Sequence, residues 1–424
     1  MSQKIAGVKG MNDILPPDIY VWQHVEAVAR DVFRRFGYAE IRTPMVEDTA
    51  LFVRTVGEST DIVGKEMYTF EDKAGRSLSL RPEGTAPAAR AYIEHAVYNL
   101  EPITRWSYFG PMFRYERMKT GRYRQFFQAG AEAFGVSEPA QDVEVIDLVW
   151  QLLKDLELEG VTLHLNSLGD DVCRPEYQKR LVAHFSARAS ELCADCQVRL
   201  QRNPLRIFDC KNPGCQEVAK GAPSVLEFLC APCRAHFEEV QRKLGLLKLP
   251  YRLNPQMVRG LDYYTRTAFE FIAADPSLGT ASAVGGGGRY DKLVRSLGGP
   301  EIPAVGMALG LDRLCLLVSR SKKSFAPTPD LFVATVEASA QDEASRLVSE
   351  FRRIGFWVDF DPRGGSLKSQ MKRADKSGAR FALVLGAQEL SSRTAELKPL
   401  RGGEPGRVSF DEIPAALRSG QPKG

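Results

Sequence analysis

A short basic stretch between Phe113 and Gln128 has the composition of an anion-binding site. Aromatic residues alternate with its charges, and Glu116 is the one acidic residue among them. We predict a β-hairpin, because strand-like segments follow one another with short connections. A guanidinium donates two parallel hydrogen bonds to a phosphate, and basic side chains in a loop suit a phosphate backbone. A solvated hairpin tip is the alternative. The basic residues are Arg114 on a strand and, in the loop, Arg117, Lys119, Arg122 and Arg124.

The strand after this loop presents two polar groups on one face. Alternation along a strand places Gln128 and Glu132 on the same side, with Gly130 between them. A glycine in a strand lets a ligand lie close to the backbone, so the amide and the carboxylate could hold one small polar molecule. A solvated sheet face would show the same pattern.

Other segments place charged residues at turns and on helices. RPEGT, from Arg81 to Thr85, puts Glu83 at a strand-to-helix turn, where it could receive an ammonium group or cap the helix. Arg313 lies on a predicted apolar helix, where an arginine most often forms a salt bridge. The run GGGGRYD lacks the spacing and the βαβ context of a phosphate loop. We interpret its glycines as making room for a ligand beside the backbone.

The elements that would position these residues indicate an α+β fold. Apolar residues at helical spacing from 21 to 37 predict a helix that ends at Gly37. Antiparallel strands follow, without alternating βαβ units. Between about 166 and 246 the chain becomes helix-rich and polar, which indicates an insertion. After a linker rich in Lys, Ser and Pro, strands and helices alternate, which predicts a small separate α/β domain.

Length and composition exclude several classes of protein. The chain has 424 residues, enough for about two or three domains, and its 44% hydrophobic and 26% charged residues are typical of a soluble globular protein. No apolar run is long enough to span a bilayer, and the N-terminus lacks the apolar core of a secretory signal. We therefore expect a cytoplasmic protein without a membrane partner. A net charge of +4 predicts that any nucleic acid is bound by local clusters.

Several of these segments resemble the motifs of one enzyme class. The stretch from Phe113 to Gln128 resembles motif 2 of the class II aminoacyl-tRNA synthetases, and AVGMALGLDRL resembles motif 3. GYAEIRTPMVED resembles motif 1, with Pro44 in the expected place. RPEGTAP and RGLDYYTRTAFEF resemble signatures of the histidine-specific members. Over nearly its whole length, the chain is similar to the bacterial histidyl-tRNA synthetase family.

The resemblance implies a fold and a reaction. The fold is the class II antiparallel sheet flanked by helices, with a catalytic domain from residues 1–165 and 247–325, a helical cysteine-containing insertion at 166–246, and a C-terminal α/β anticodon-binding domain at 329–424. The reaction is the ATP-dependent attachment of L-histidine to tRNA(His) through histidyl-adenylate. Mg²⁺ would accompany ATP, and a homodimer would form through motif 1 and neighbouring surfaces.

The resemblance also implies roles for individual residues. Arg114 would bind the α-phosphate of ATP, and Arg313 would bind the γ-phosphate. Arg259 would lie beside the histidine carboxylate and the α-phosphate, which makes it, with Arg114, a catalytic residue. Glu83, Thr85 and Gln128 would hold the ammonium group, and Glu132 and Tyr264 would bind the imidazole. The histidine-binding set as a whole is Glu83, Gly84, Thr85, Gln128, Glu132, Tyr263 and Tyr264.

Two basic clusters are implied as tRNA contacts. The hairpin loop would meet the acceptor end of the tRNA. A predicted helix in the C-terminal domain would contact RNA, although a solvated helix face is the alternative. These residues are Arg117, Lys119, Arg122 and Arg124 in the loop, and Lys368, Lys372, Arg373 and Lys376 in the C-terminal domain.

The eight cysteines suggest metal binding more than a disulfide scaffold. Paired CxxC segments commonly form tetrahedral zinc sites, which makes Cys193, Cys196, Cys230 and Cys233 the candidate ligands of a structural Zn²⁺. The gap between the pairs is longer than usual, and Cys210 and Cys215 could substitute. Reduced thiols in a helical subdomain are the alternative.

Two other functions compete with the synthetase hypothesis. A synthetase-like regulatory subunit of histidine biosynthesis would resemble the catalytic domain but lack the C-terminal domain and catalytic residues. Here Arg259 and Arg313 are present, and a further domain follows motif 3. A class II synthetase for another amino acid is disfavoured by RGLDYYTRT and by Glu132.

Overall fold

The structure, a computed structural model, describes residues 5–57, 60–321 and 323–419. The chain divides into two compact units, residues 1–324 and 325–424. Within the described ranges, every helix is too short or too polar to span a lipid bilayer.

Helices and strands of the first unit surround a mixed but mainly antiparallel sheet. In chain order they are α1 (Asp18–Arg35), β1 (Ala39–Glu40), β2 (Val46–Asp48), α2 (Thr49–Val56), β3 (Thr69–Glu71), β4 (Ser77–Leu80), α3 (Thr85–Glu94), β5 (Thr104–Phe113), β6 (Gln125–Phe134), α4 (Pro139–Asp155), β7 (Val161–Ser167), α5 (Arg174–Ser186), α6 (Ala194–Arg202), α7 (Pro213–Lys220), α8 (Ala231–Leu246), β8 (Arg252–Leu253), β9 (Thr265–Ala273), β10 (Ala283–Arg289), α9 (Leu293–Ser296), β11 (Ala304–Gly310) and α10 (Leu311–Val318).

The described residues of this unit form an eight-stranded sheet in the order β1-β5-β6-β11-β10-β9-β7-β8. The strand pairs from β5 through to β7 are antiparallel, and the two edge pairs, β1 with β5 and β7 with β8, are parallel. A small separate sheet has the order β2-β4-β3. The predicted α+β class with a class II type of sheet is confirmed.

Helix α1 covers one face of the central sheet because its apolar residues recur on one side. Val25, Ala29, Val32 and Phe33 are buried, which is the spacing of an amphipathic helix. The indole of Trp22, on the same helix, packs edge-on against Phe127 of β6 at 5.2 Å between ring centroids. Residues of β6 that alternate with Phe127 therefore point to the opposite face, which is left for a binding site.

The hairpin of β5 and β6 differs from the prediction in one detail. TRWSYFGPMF forms a single strand through Gly110 and Pro111, and the strand ends at Phe113. Arg114 therefore lies just beyond the strand and not on it. Its backbone N–H still donates to Arg124 O at 2.9 Å, so the hairpin continues into the loop.

The segment between β7 and β8 is helical, as expected. Asn166 and Ser167 belong to β7, so the helices begin later than the predicted boundary at 166. The described part of this segment contains helices α5 to α8 and 3-10 helices at Ala189–Glu191, Pro204–Asp209 and Val225–Glu227.

The second unit is an α/β domain. Its elements are β12 (Leu331–Thr335), α11 (Gln341–Arg353), β13 (Val358–Phe360), α12 (Leu367–Ser377), β14 (Phe381–Leu385), α13 (Ala387–Ser392), β15 (Thr394–Pro399), β16 (Gly406–Ser409) and α14 (Ile413–Ser419). The described strands form one sheet in the order β13-β12-β14-β15-β16. The first three are parallel, as the βαβα pattern predicts, and β15 and β16 add antiparallel strands that the sequence analysis did not identify.

Candidate active site

A cavity of about 540 Å³ opens on the sheet face opposite α1. Its wall is made by β6, β9, β10 and β11, the start of α3, the hairpin loop and the helical segment between β7 and β8. The predicted residues that line it are Glu83, Thr85, Arg114, Arg122, Gln128, Arg259, Tyr263, Tyr264 and Arg313.

One part of the cavity presents hydrogen-bond acceptors. Gln128 Oε1 is buried and has no hydrogen-bond partner among the described residues. A buried acceptor without a partner is costly, so this oxygen is available for a donor on a ligand. Glu83 lies in the same wall, and burial raises its pKa. Its oxygens accept from the backbone N–H groups of Thr85 at 2.7 Å and Ala86 at 2.8 Å, at the start of α3. Glu83 therefore caps the helix and also faces the cavity.

Glu132 is fully buried and reaches the cavity through Thr85. Its Oε1 accepts from the hydroxyls of Thr85 at 2.7 Å and Tyr108 at 3.1 Å, and its Oε2 accepts from the hydroxyl of Tyr290. Burial raises the pKa of Glu132 to about 8. Three hydroxyl groups thus fix this carboxyl group, and a direct contact between Glu132 and a ligand stays a prediction.

Gly130 makes room for a side chain and not for a ligand, which corrects the expectation. Tyr108 lies opposite Gly130 across the β5–β6 pair. A Cβ on Gly130 would lie 2.6 Å from Cε2 of that ring, and one on Gly84 would lie 2.8 Å from the Tyr108 hydroxyl. Both glycines therefore serve the contact between Tyr108 and Glu132.

Two tyrosines that precede β9 complete this part of the wall. The rings of Tyr263 and Tyr264 lie 4.7 Å apart between centroids. The Tyr263 hydroxyl donates to Glu83 Oε2 at 3.4 Å. Burial raises the pKa of both phenols, so they remain neutral donors near pH 7.

Arg259 is held in the cavity by contacts on several sides. Its Nη1 donates to Glu270 Oε1 at 2.9 Å, and its guanidinium lies 5.4 Å from the centre of the Tyr264 ring. Its Nε has no hydrogen-bond partner among the described residues. Gly286 makes this position possible, because a Cβ there would lie 2.7 Å from Arg259 Nη1. The glycine run is thus a strand, β10, that accommodates an arginine side chain.

Another part of the cavity concentrates positive charge. Arg114 is fixed by Pro82 O at 2.8 Å, and Arg313 by Gly121 O at 3.0 Å. Arg122 pairs with Glu116 at 2.8 Å. Burial lowers the pKa of Arg313, and the like charges of Arg122 and Arg114 lower it further, against the opposing effect of Glu116. Such a cluster favours a polyanion, which would relieve the mutual repulsion.

The geometry therefore offers acceptors for an ammonium group and cations for a polyphosphate in one cavity. The model of the family described as "Histidyl-tRNA synthetase" matches residues 10–314, and that described as "Anticodon binding domain" matches residues 330–420. The chain belongs to the histidyl-tRNA synthetase family.

Histidine–tRNA ligases of other organisms match this chain over nearly its whole length. A histidine–tRNA ligase of Anaeromyxobacter dehalogenans is 52% identical over 418 residues, which cover 98% of this chain and 99% of that protein. One from Syntrophotalea carbinolica is 47% identical over 413 residues, covering 97% and 98%. The crystal structure of apo S. aureus histidyl-tRNA synthetase has a TM-score of 0.83 at 37% identity and covers 98% of this chain and 100% of that one.

The remaining residues of the hairpin loop lie in different surroundings. Arg117 and Lys119 are exposed, whereas Arg122 turns into the cavity. Arg124 stacks on Tyr115, with its guanidinium carbon 3.6 Å from the ring centre. The acceptor-end contacts of all four basic residues stay predictions.

Helix α12 of the second unit carries the other predicted RNA contacts. Lys368, Lys372 and Lys376 recur every four residues and are exposed on one face of the helix. Arg373 instead pairs with the buried carboxylate of Asp361. The three lysines are thus accessible to a partner, whereas Arg373 has a structural contact.

The sequence analysis missed residues of the helical segment that line the cavity. Their positions in the chain gave no signal, because only the fold brings α6 and the following 3-10 helix to the sheet. Glu270 was also missed, although a carboxylate in the otherwise apolar TAFEFI was a signal. The segment's residues are Arg199, Arg206, Asp209 and Lys211.

The predicted grouping of the cysteines is wrong. The two CxxC pairs do not meet in one site, because each is brought together with residues from elsewhere in the segment. Cys193 and Cys196 group with Cys210 and Cys215, the substitution that the sequence left open. Cys230 and Cys233 belong to a second group.

Proposed function

We propose that this chain attaches L-histidine to tRNA(His) through a histidyl-adenylate intermediate, with ATP as the energy source. The observation that carries the proposal is a single cavity that joins the unpartnered acceptor of Gln128 to the cation cluster of Arg114, Arg122 and Arg313. The cavity can therefore hold an amino acid and a nucleoside triphosphate side by side.

In the first step the histidine carboxylate attacks the α-phosphorus of ATP, and pyrophosphate leaves. No protein nucleophile is needed, because positioning and charge neutralisation supply the rate enhancement. Gln128 and Glu83 accept from the ammonium group, while Tyr264 and Glu132 select the imidazole. Arg259 offsets the negative charge that develops around the α-phosphate.

The proposal assigns Arg114 to the α-phosphate and Arg313 to the γ-phosphate, and Mg²⁺ to the nucleotide. Mg²⁺ prefers oxygen ligands and is usually held by one or two carboxylates together with phosphates. The carboxylates of Glu66 and Glu116 line the cavity and fit that requirement. The bound ion would neutralise phosphate charge.

In the second step a terminal hydroxyl of the tRNA attacks the adenylate carbonyl, the ester to tRNA forms as the carboxyl–phosphate bond breaks, and AMP and the hydroxyl proton are released. The exposed Arg117 and Lys119 are proposed to meet the acceptor end of tRNA(His). The module at 329–424 is proposed to read the anticodon, with Lys368 and Lys372 on its exposed helix face. Catalytic segments at 1–165 and 247–325 and the insertion at 166–246 complete the proposed organisation.

The proposal extends to assembly and location. Val46 and Phe70 are exposed on the small sheet β2-β4-β3, and Met45 is exposed just before β2. This exposed apolar surface supports a homodimer formed through motif 1. We also propose a cytoplasmic location and structural zinc binding in the insertion.

A synthetase-like regulatory subunit is less well supported. Such a protein needs neither a cation cluster for a triphosphate nor a second unit. Here Arg259 and Arg313 line the cavity, and the chain continues through a second compact unit.

ATP–pyrophosphate exchange across all the standard amino acids tests the proposal. Histidine alone should support exchange, and the Gln128→Ala variant should show a raised KM for histidine. A folded dimer that exchanges with no amino acid would support the regulatory subunit. Exchange with a different amino acid would overturn the histidine assignment.

A further inference from the structure

The helical segment between β7 and β8 carries two groups of metal-binding side chains. Within each group the sulfur or carboxylate oxygen atoms all lie within 4.8 Å of one another. Every cysteine in them is a free thiol. The first group is Cys193, Cys196, Cys210 and Cys215, and the second is Asp170, Cys173, Cys230 and Cys233.

The distances in the first group fit a tetrahedral zinc ion. Zinc–sulfur bonds of about 2.3 Å at tetrahedral angles place neighbouring sulfurs about 3.8 Å apart. Cys193 Sγ lies 3.8 Å from Cys210 Sγ.

The distances in the second group fit a zinc ion with three thiolates and one carboxylate. A tetrahedral ion with zinc–oxygen bonds of about 2.1 Å places a sulfur about 3.6 Å from the oxygen. Cys173 Sγ and Cys230 Sγ lie 3.5 Å and 3.7 Å from Oδ1 of Asp170.

The backbone at both CxxC pairs has the same local geometry. Cys193 precedes α6 with φ −65° and ψ 161°, and Cys230 precedes α8 with φ −62° and ψ 160°. In each pair the second cysteine, Cys196 or Cys233, falls in the first turn of the helix. A repeated conformation at two unrelated places in the segment indicates a shared role.

Backbone N–H groups also point at the sulfurs. Cys215 Sγ accepts from the N–H of Cys193 at 3.2 Å, and Cys173 Sγ accepts from that of Asp170 at 3.2 Å. Cys210 Sγ accepts from the N–H of Asn212 at 3.4 Å. Hydrogen bonds of this kind orient and stabilise metal ligands.

We propose that the chain binds two structural zinc ions, one in each group, which hold the helical segment against the wall of the active-site cavity. Two cysteines of the first group precede the 3-10 helix at Pro204–Asp209 in the chain, and two follow it. Arg206 of that helix donates to Arg259 O at 2.8 Å and to Asp262 Oδ1 at 2.6 Å. The first ion therefore fixes the residue that holds the backbone of Arg259.

The second ion would link the two ends of the helical segment. Asp170 and Cys173 follow β7, whereas Cys230 and Cys233 begin the last helix, α8, so the group joins both ends of the segment. The adjoining chain contacts the strand that follows Tyr264. The N–H of Arg266 donates to Gly169 O at 2.8 Å, and Arg174 donates to Tyr264 O.

Metal analysis of the full-length protein, purified without chelators, tests the number of ions. Wild type should contain about two zinc equivalents per chain, and Cys196→Ser and Cys233→Ser should each contain about one. Cys315→Ala is the matched control, because Cys315 is a buried thiol of α10 that belongs to neither group. This control should keep both equivalents.

Cobalt substitution identifies the ligands. The thiolate-to-cobalt charge-transfer absorption grows with the number of thiolate bonds. Cys233→Ser retains the first site with four thiolates, and Cys196→Ser retains the second site with three. Their absorptions should therefore stand in a ratio of about 4:3. If either variant fails to fold, the cobalt spectrum of the wild type tests the proposal, because two bound cobalt ions should give the absorption of seven thiolate bonds. Folded wild type with one zinc equivalent or none, or with disulfides in place of eight alkylatable thiols, would overturn the proposal.

The positioning role rests on the proposed function and has a separate readout. Cys196→Ser should reduce turnover in ATP–pyrophosphate exchange at least tenfold while retaining the second zinc. Unchanged turnover in that variant would overturn the positioning role and leave the metal count standing. Absence of exchange in wild type would contradict the proposed function and not the metal sites.

Discussion

Replacement of Arg259 by histidine should slow adenylate formation far more than it weakens histidine binding. Nη1 is already engaged by Glu270 at 2.9 Å, whereas Nε has no partner among the described residues. At least one donor therefore remains for the charge that develops at the α-phosphate. Loss of one preorganised donor costs about 10²–10³ in turnover, or roughly 2.7–4 kcal/mol. We expect Arg259→His to lose at least about a hundredfold in this step.

Rapid-quench measurement of the two half-reactions checks this expectation. Transfer from pre-formed adenylate to tRNA should suffer less, because the α-phosphate is then part of the leaving group. Arg259→Lys should recover only part of the rate, since it keeps the charge but loses the planar fork. Arg295→His is a suitable control, because Arg295 is an exposed arginine whose partner is the exposed Glu301.

The carboxylate of Glu270 offers an internal test. Once Arg259 is removed, Glu270 stands unpaired beside the substrates and could itself repel the phosphates. The double variant Arg259→His/Glu270→Gln separates the two causes, because full recovery of the rate would mean that repulsion accounts for the loss. Equal slowing of both half-reactions, or a defect confined to histidine binding, would refute the assignment of Arg259 to adenylation catalysis.

Four further outcomes are expected. Glu132→Ala should raise the KM for histidine far more than that for ATP, since an unpaired imidazole N–H in a buried pocket costs roughly 1–3 kcal/mol. Steady-state kinetics that show equal increases in the two KM values would contradict this role of Glu132. The raised pKa of Glu132, about 8, means that the folded state binds the extra proton, so its contribution to stability is fully present below about pH 4.5 and is lost as pH rises through about 8. Urea unfolding across this range should show a decline that Glu132→Gln lacks. Arg289→Met should cost about 3–5 kcal/mol by leaving the buried Asp142 without its ion pair, with His236 Nε2 still 3.3 Å from it, and the double variant Arg289→Met/Asp142→Leu should regain part of it in the same unfolding assay. Truncation before residue 329 should preserve histidine-dependent exchange while impairing aminoacylation, and loss of exchange in a folded, dimeric truncate would contradict a modular second unit.

Local patterns predicted the strands and the faces of the site well. Alternation along QFFQAGAEAF placed Gln128 on the cavity face, and the structure agrees because α1 covers the other face through Phe127. The strand-to-helix turn predicted at RPEGT is also found, because α3 begins at Thr85. Each of these features depends on residues close together in the chain.

Features that depend on distant residues could not be predicted. The space beside Gly130 is taken by Tyr108 of the neighbouring strand, and no local pattern distinguishes that partner from a ligand. The cysteine groups combine residues up to 63 positions apart, from Asp170 to Cys233. Spacing alone favoured one site made of both CxxC segments, whereas the fold places the helices that follow Cys193 and Cys230 beside different partners.

The wall of β10 has a consequence for inhibitors of this enzyme. Gly285 and Gly286 line the cavity with bare backbone, and a side chain at Gly285 would collide with Leu309, whereas one at Gly286 would lie 2.6 Å from Phe269 O. A compound that packs against the Cα atoms there would contact atoms that every amino-acid substitution keeps. A side chain at Gly286 would displace the backbone of β9, so escape mutations should arise at other parts of the cavity wall.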